Sequence, residues 1–219
     1  MTKPHILVEG LDGSSKGTSI LTIEKTLTSL GYSVELAREP GGTPLSQTLR
    51  KNIMHQWEEK ISPKTDMMLF YAAREQLYTN IICPILKAGK SALVRDRSWM
   101  SSYAYQLRGL STLTDSEYWT IHNFVMLGKP KPDMVILMDI PPEVGFARIA
   151  KNRGDNSHDR MESYALDMYN KARVGYLELM SPTSGTADML EIVDANRPIE
   201  VVQKDVAELV SKLVNKKYR

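Results

Sequence analysis

The chain opens on a short apolar run, Ile6-Leu7-Val8, and comparable runs recur at Ser33 to Ala37, Ser91 to Val94, Met134 to Met138 and Met189 to Val193. Such runs, bounded by turn residues, read as the strands of a parallel sheet. Between them apolar positions return at helical spacing. Ile20, Ile23, Leu27 and Leu30 mark a first helix that Gly31 closes as a C-cap. A second helix is predicted over Leu45 to Met54. Pro63 opens a long helical stretch, Lys64 to Ala88, which Pro84 should kink or divide. Further helices are predicted over Trp99 to Gln106, Asp115 to Leu127, Pro141 through Ile149, and Met161 to Met180. Ile199, Val202, Val206, Leu209 and Leu213 mark the last. Strands alternating with helices predict an α/β fold, a five-stranded parallel sheet covered on both faces as three α/β/α layers. No repeat, low-complexity tract or linker divides the chain, so one domain over residues 1–219 is expected. Lys129-Pro130-Lys131-Pro132 reads as a stiff connector, and Lys216 to Arg219 as a solvated basic tail.

In such sheets ligands collect at the carboxyl ends of the strands. Charged and glycine-rich clusters fall there: Asp12 to Thr18 after the first strand, Arg38 after the second, Asp96 and Arg97 after the third, Asp139 after the fourth. The first cluster, Gly10-Leu11-Asp12-Gly13-Ser14-Ser15-Lys16-Gly17-Thr18, joins a strand to a helix through small residues. That is the context of a phosphate-binding loop, where backbone N–H groups and the helix N-terminus face an anion. Lys16 would reach the outer phosphates and Thr18 would stand near a magnesium ion. The loop departs from the strict G-x-x-x-x-G-K-[ST] pattern at Ser15 and at Gly17. If position 15 needs a positive φ, serine there costs about 1 kcal/mol or more. An ordinary strand-to-helix turn is the bland alternative.

Composition narrows the partners. The 219 residues carry a net charge of only +2, so no bulk basic field points to nucleic acid. A single cysteine, Cys83, precludes an internal disulfide, and its isoleucine neighbours predict a buried thiol. No apolar stretch reaches membrane-spanning length, and the start runs straight into a strand, leaving no room for a signal peptide. A cytoplasmic protein is expected.

Several clusters together resemble the thymidylate kinase family, a branch of the P-loop nucleoside monophosphate kinases. The resemblance runs from Ile6 to about Asp194 through Glu9-Gly10-Leu11-Asp12-Gly13, Arg38-Glu39-Pro40-Gly41-Gly42-Thr43, Leu69-Phe70-Tyr71-Ala72-Ala73-Arg74, Asp96-Arg97, Ser101 with Ala104-Tyr105-Gln106, and Lys131-Pro132-Asp133. It implies a P-loop NTPase-type fold with a flexible lid and transfer of the γ-phosphoryl of ATP to dTMP, with magnesium. Phosphoryl transfer needs two anions held in line and charge neutralised at the moving group. The resemblance makes Arg38 and Arg97 ligands of the acceptor phosphate. It stacks Phe70 on the thymine ring, sets Arg74 at its exocyclic oxygen, puts Ser102 near the base edge, and makes Ser101 a further dTMP-binding residue. Tyr105 falls where a bulky ring disfavours a ribose 2′-hydroxyl. Asp12 matches a carboxylate that contacts the acceptor's sugar or organises magnesium and the acceptor phosphate, and Asp96 a ligand to magnesium-bound water. The structural alternatives are pairing of Arg38 with a surface acid and of Arg97 with Asp96 or Asp139. Glu9 reads as structural.

Lys151 to Arg160 is polar, charged and glycine-containing, and with Arg148 it forms the expected lid, about residues 148–160. The phosphate loop offers no basic side chain before Lys16. The family arrangement in which a lid arginine serves the transferring phosphate is therefore indicated, with Arg153 leading and Arg148 or Arg160 behind it. A homodimer is implied, with the apolar side chains of Met67 to Leu77 serving an interface or a core. Ser98 stands where the family usually has an aromatic or histidine, which keeps open a broader acceptor range. Ser15 keeps open a non-catalytic nucleotide-binding role.

Overall fold

The computed structural model describes residues 3–153 and 165–218, with side chains up to residue 151 and again from 165. Five strands form one all-parallel sheet in the order β2-β3-β1-β4-β5: β1 His5–Glu9, β2 Val34–Arg38, β3 Ala92–Asp96, β4 Met134–Asp139 and β5 Met189–Asp194. All five predicted strands are present. β1 is central, with Leu7 opposite Arg95 on one side and Val135 on the other. It is buried throughout, as is β4 apart from its last residue. That explains their uninterrupted apolar runs.

The helices are α1 Lys16–Ser29, α2 Pro44–Met54, α3 Pro63–Leu77, α4 Cys83–Ala88, α5 Trp99–Ser102, α6 Asp115–Met126, α7 Pro142–Arg153, α8 Leu166–Leu179 and α9 Ile199–Lys217. Their starts follow local chemistry. Thr43 and Ser62 cap α2 and α3 with their side chains, each ahead of a proline in the first turn, and Thr114 with Glu117 forms a capping box on α6. The long predicted stretch does divide, at a π-turn over Tyr78–Ile82, and Pro84 then sits in the first turn of α4, where no hydrogen bond is lost. A second π segment, Tyr103–Gly109, continues α5.

Four expectations need correction. The helix expected to stop at Ile149 reaches Arg153. Cys83 is half-buried rather than buried. The basic tail is not wholly solvated: Lys217 ends α9 paired with Asp133 and Asp188. The helix expected from Met161 begins at Leu166, and residues 161–164 lie outside the described ones.

Most of the core lies between the sheet and its helices. A smaller cluster of Ala37, Leu77, Tyr78, Ile82 and Leu93 fills the β2–β3 edge, behind the site described next.

Candidate active site

The loop after β1 is wedged against two other backbones. A Cβ on Gly10 (φ 143°) would stand 2.5 Å from the Met138 carbonyl oxygen, and one on Gly13 (φ 78°) 2.3 Å from that of Gly145 in α7. Only glycine fits either place. Ser15 adopts the left-handed conformation (φ 64°, ψ 25°), so the strain foreseen from the sequence is present. Gly17 has ordinary dihedrals and open space around it. No side chain caps α1. Its first N–H groups thus face outward with the positive end of the helix dipole, as an anion site requires. Thr18 is exposed on that first turn, Leu11 and Ser14 are buried, and the Ser14 hydroxyl has no partner. Lys16 folds back over the loop, its Nζ donating to the carbonyls of Leu11 (2.7 Å) and Gly10 (3.0 Å). Burial and the nearby Arg97 lower its pKa to about 8, against the pull of Asp12, Asp96 and Glu9.

Arg97, just past β3 with a positive φ of 69°, gathers the next groups. Its guanidinium donates to Asp12 Oδ1 at 2.5 Å, and to the Gly10 carbonyl, Ser101 Oγ and the Tyr176 hydroxyl, each at 3.2 Å. Burial works to raise the Asp12 pKa, but the cations of Arg97 and Lys16 outweigh it, so Asp12 stays ionised. Tyr105 stands over the pair, with its hydroxyl 3.4 Å from Asp12 Oδ2 and its ring 5.6 Å from the guanidinium. Fully buried Glu9 accepts from Ser98 (2.7 Å) and Ser101 (2.8 Å), fixing the start of α5 behind Arg97. Neither acid weighed as a partner for Arg97 pairs with it. Asp96 meets Arg38 at 3.5 Å, and Asp139 holds Arg173 of α8 through two 2.7 Å bonds. The Arg38 side chain is 60% exposed despite that pair.

Of these groups, Asp12, Arg38, Arg97, Ser101 and Tyr105 line one side of a cavity of about 740 Å³, open mouth included. Phe70 and Arg74, one turn apart on α3, line the other end with Met54 and Gln106. Arg74 is buried and almost saturated. Nε donates to Glu39 at 2.7 Å, and Nη2 to the Ser98 carbonyl (3.1 Å) and Ser102 Oγ (3.0 Å), while Nη1 has no partner. Asp12, Arg38, Phe70, Arg74, Arg97, Ser101 and Tyr105 therefore share one cavity, as expected together from the sequence. Ser102 does not line it and instead braces Arg74 from behind. Sequence reasoning assigned nothing to Arg50, Glu39 or Gln106, which also line the cavity. Glu39 and Gln106 lie inside motifs quoted above, so a signal existed. Arg50 gave none, because its helical position alone does not say what α2 faces.

α7 ends at Arg153, but that side chain and all of Arg160 lie outside the described residues. Arg148 is placed: it ties the loop to the segment after β5, donating to the Gly13 (3.4 Å) and Ala195 (3.0 Å) carbonyls. Among the described residues no cluster of three metal-ligating side chains occurs. Asp96 nonetheless keeps Oδ1 buried and without a partner. A single carboxylate beside a phosphate site suits magnesium, which retains most of its water and leans on substrate oxygens.

Comparison with known proteins agrees with this geometry. The family model "Thymidylate kinase" matches residues 8–206. A thymidylate kinase of Alteromonas mediterranea is 39% identical over 217 residues, covering 98% of this chain and 92% of that protein. Those of Pseudoalteromonas translucida and Haemophilus ducreyi are each 38% identical, covering 96% and 98% of this chain and 96% of either protein. The chain belongs to the thymidylate kinase family.

Proposed function

We propose that this nucleoside monophosphate kinase transfers the γ-phosphoryl group of ATP to dTMP, giving dTDP for dTTP synthesis. One observation carries the reading: an aromatic ring and a guanidinium (Phe70, Arg74) line one end of a cavity whose other end is Arg97–Asp12, next to Lys16 and the open N-terminus of α1. The base lies on Phe70, with its carbonyl oxygen toward Arg74. The acceptor phosphate lies on Arg97, with Arg38 swinging in. The loop N–H groups from Gly10 to Thr18 hold the phosphates of ATP. Lys16, released from the Gly10 and Leu11 carbonyls, joins the outer ones. Asp12 stays anionic beside Arg97 and holds that guanidinium toward the acceptor. Two anions are thereby set in line while fixed cations await the charge that develops.

Thr18 and Asp96 would hold magnesium, which would supply further charge neutralisation on the phosphates of ATP. Arg153 serves the transferring phosphate from the lid, as the bare Gly13-Ser14-Ser15 stretch requires. The protein works as a cytoplasmic homodimer. Met67, Tyr71 and Leu77 are core, which leaves exposed Met68 on α3 to the contact between copies. Among the described residues no helix is long and apolar enough to cross a membrane. The comparisons favour neither a broader acceptor range nor a non-catalytic role.

The deciding experiment measures ATP-dependent phosphorylation of dTMP beside dUMP, dCMP, dGMP and dAMP with magnesium. Strong preference for dTMP is expected, and turnover spread evenly over the panel defeats the assignment of the base pocket. Arg153→Ala should lower kcat by roughly 100-fold or more while KM for dTMP hardly moves, because the group acts in the transition state. A near-normal kcat would move that role to another arginine.

A further inference from the structure

Ser101 lines the cavity, but its hydroxyl is already spent on the protein. Its Oγ donates to Glu9 Oε2 at 2.8 Å, and the buried Glu9 takes a second hydroxyl hydrogen, from Ser98, on its other oxygen at 2.7 Å. A hydroxyl has one hydrogen to give and two lone pairs. Having given its hydrogen to Glu9, Ser101 can only accept from its other neighbours, the Tyr176 hydroxyl at 2.7 Å and Arg97 Nη1 at 3.2 Å. Tyr176 therefore donates to Ser101, and its own oxygen accepts from the same Arg97 Nη1, also at 3.2 Å. A buried carboxylate thus orders two hydroxyls so that both turn lone pairs toward the guanidinium. With the Gly10 carbonyl, Nη1 has three acceptors for two hydrogens, while Nη2 gives one hydrogen to Asp12. Among the described residues no hydrogen bond takes Nε or the second Nη2 hydrogen of Arg97, whose side chain is 14% exposed and lines the cavity.

The geometry points to Tyr176 as a positioning residue for the acceptor phosphate: from α8 it anchors Nη1 of Arg97, so that the guanidinium keeps one orientation and its remaining donors stay available to an anion. The inference rests on the reading of Arg97 as the ligand of that phosphate. Tyr176 suits the task because its hydroxyl cannot wander. The residue is 1% exposed, and its ring meets the Tyr105 ring edge-on at 6.1 Å, while Tyr105 itself stands 5.6 Å from the same guanidinium. The preceding residue brings α8 near enough. A Cβ on Gly175 would lie 2.9 Å from Arg108 Cγ and 3.2 Å from the Ala104 Cα, both in the π segment that continues α5 just after Ser101. A glycine inside a helix gives up about 1 kcal/mol relative to alanine, and here that loss goes with the close approach that sets Tyr176 against Ser101 and Arg97.

The test is calorimetric titration of dTMP and of thymidine, which lacks the phosphate, into wild-type protein, Tyr176→Phe and Ser101→Ala, with folding checked by circular dichroism. Loss of one hydrogen bond to the guanidinium predicts that Tyr176→Phe raises Kd for dTMP about three- to tenfold and leaves Kd for thymidine within about twofold. A merely structural hydroxyl would move both constants together or neither, and either result in folded Tyr176→Phe overturns the proposal. Ser101→Ala cuts the same link from the other side and should weaken dTMP selectively to a similar extent. If Tyr176→Phe does not fold, the same ratio in Ser101→Ala decides. A cycle with Arg97→Met checks the route: in that background Tyr176→Phe should change Kd for dTMP by less than about twofold, and an undiminished further loss overturns the proposal. Failure of the underlying reading is separable, because Arg97→Met alone would then bind dTMP as wild-type protein does.

Discussion

The two ends of the sheet carry similar residues and treat them in opposite ways. At the amino end, Asp133 is saturated: one oxygen accepts the His5 N–H (2.7 Å) and the Tyr218 hydroxyl (2.6 Å), and the other pairs with Lys217. The His5 ring adds a bond from Nδ1 to the Lys131 carbonyl, tying β1, the stiff connector and the end of α9 together, with Nε2 the one buried atom of this group left without a partner. At the carboxyl end the charges are as dense but incompletely met. Arg74 Nη1, Asp96 Oδ1 and Ser14 Oγ lack partners, Ser15 and Arg97 sit at positive φ, and Lys16 is lodged on backbone carbonyls that it must leave. Stability and function thus draw on the same side chains at opposite ends, and the functional end accepts the strain.

The sharpest way to break this comparison is Lys16→Met. If Lys16 serves phosphate rather than the loop, kcat/KM for ATP should fall by roughly 1,000-fold while the thermal midpoint stays level or rises, because a buried cation has been removed. A large loss of stability would make Lys16 a structural strut. Next comes pH. With its pKa lowered to about 8, Lys16 of the free protein sheds its proton as pH passes that value, so kcat/KM for ATP should decline about tenfold per unit above it. The sign for folding is the reverse. The unfolded lysine keeps its proton up to its ordinary value of 10.5, so stability gains with pH between about 8 and 10.5 from this group. A pH–rate profile flat to pH 9.5 would contradict the burial argument.

The amino end should show the opposite signature. Asp133→Asn weakens the pairing with Lys217 at a site touching no substrate, so a loss of about 1–3 kcal/mol on denaturant unfolding is expected with kcat unchanged. A kcat that fell with stability would mean that the two ends are coupled. The smallest effect tests the strain. Ser15→Gly should relieve about 1 kcal/mol and lower KM for ATP slightly, whereas Gly17→Ala, whose new methyl meets open space, should be near neutral. A raised KM in Ser15→Gly would show that the loop has adapted to serine.

The sequence by itself determined the strands, the class of fold and which clusters carry the chemistry. Apolar runs such as Met134–Met138 report burial on both faces directly, and the strand-end positions of Lys16, Arg38, Asp96 and Arg97 follow from chain order alone. Even the strain at Ser15 was legible, because the loop pattern has a glycine there. Pairing was not legible. Arg97 meets Asp12, 85 residues away, rather than the adjacent Asp96, and Asp139 is taken by Arg173 of α8. Arg74 shares Glu39 with a buried arginine on another strand, and Ser102 turns away from the cavity to brace it. Only the tertiary structure decided these, for one physical reason. A charged group in a low-dielectric interior takes whichever counter-charge the packing brings within about 3 Å, and sequence spacing does not record that distance.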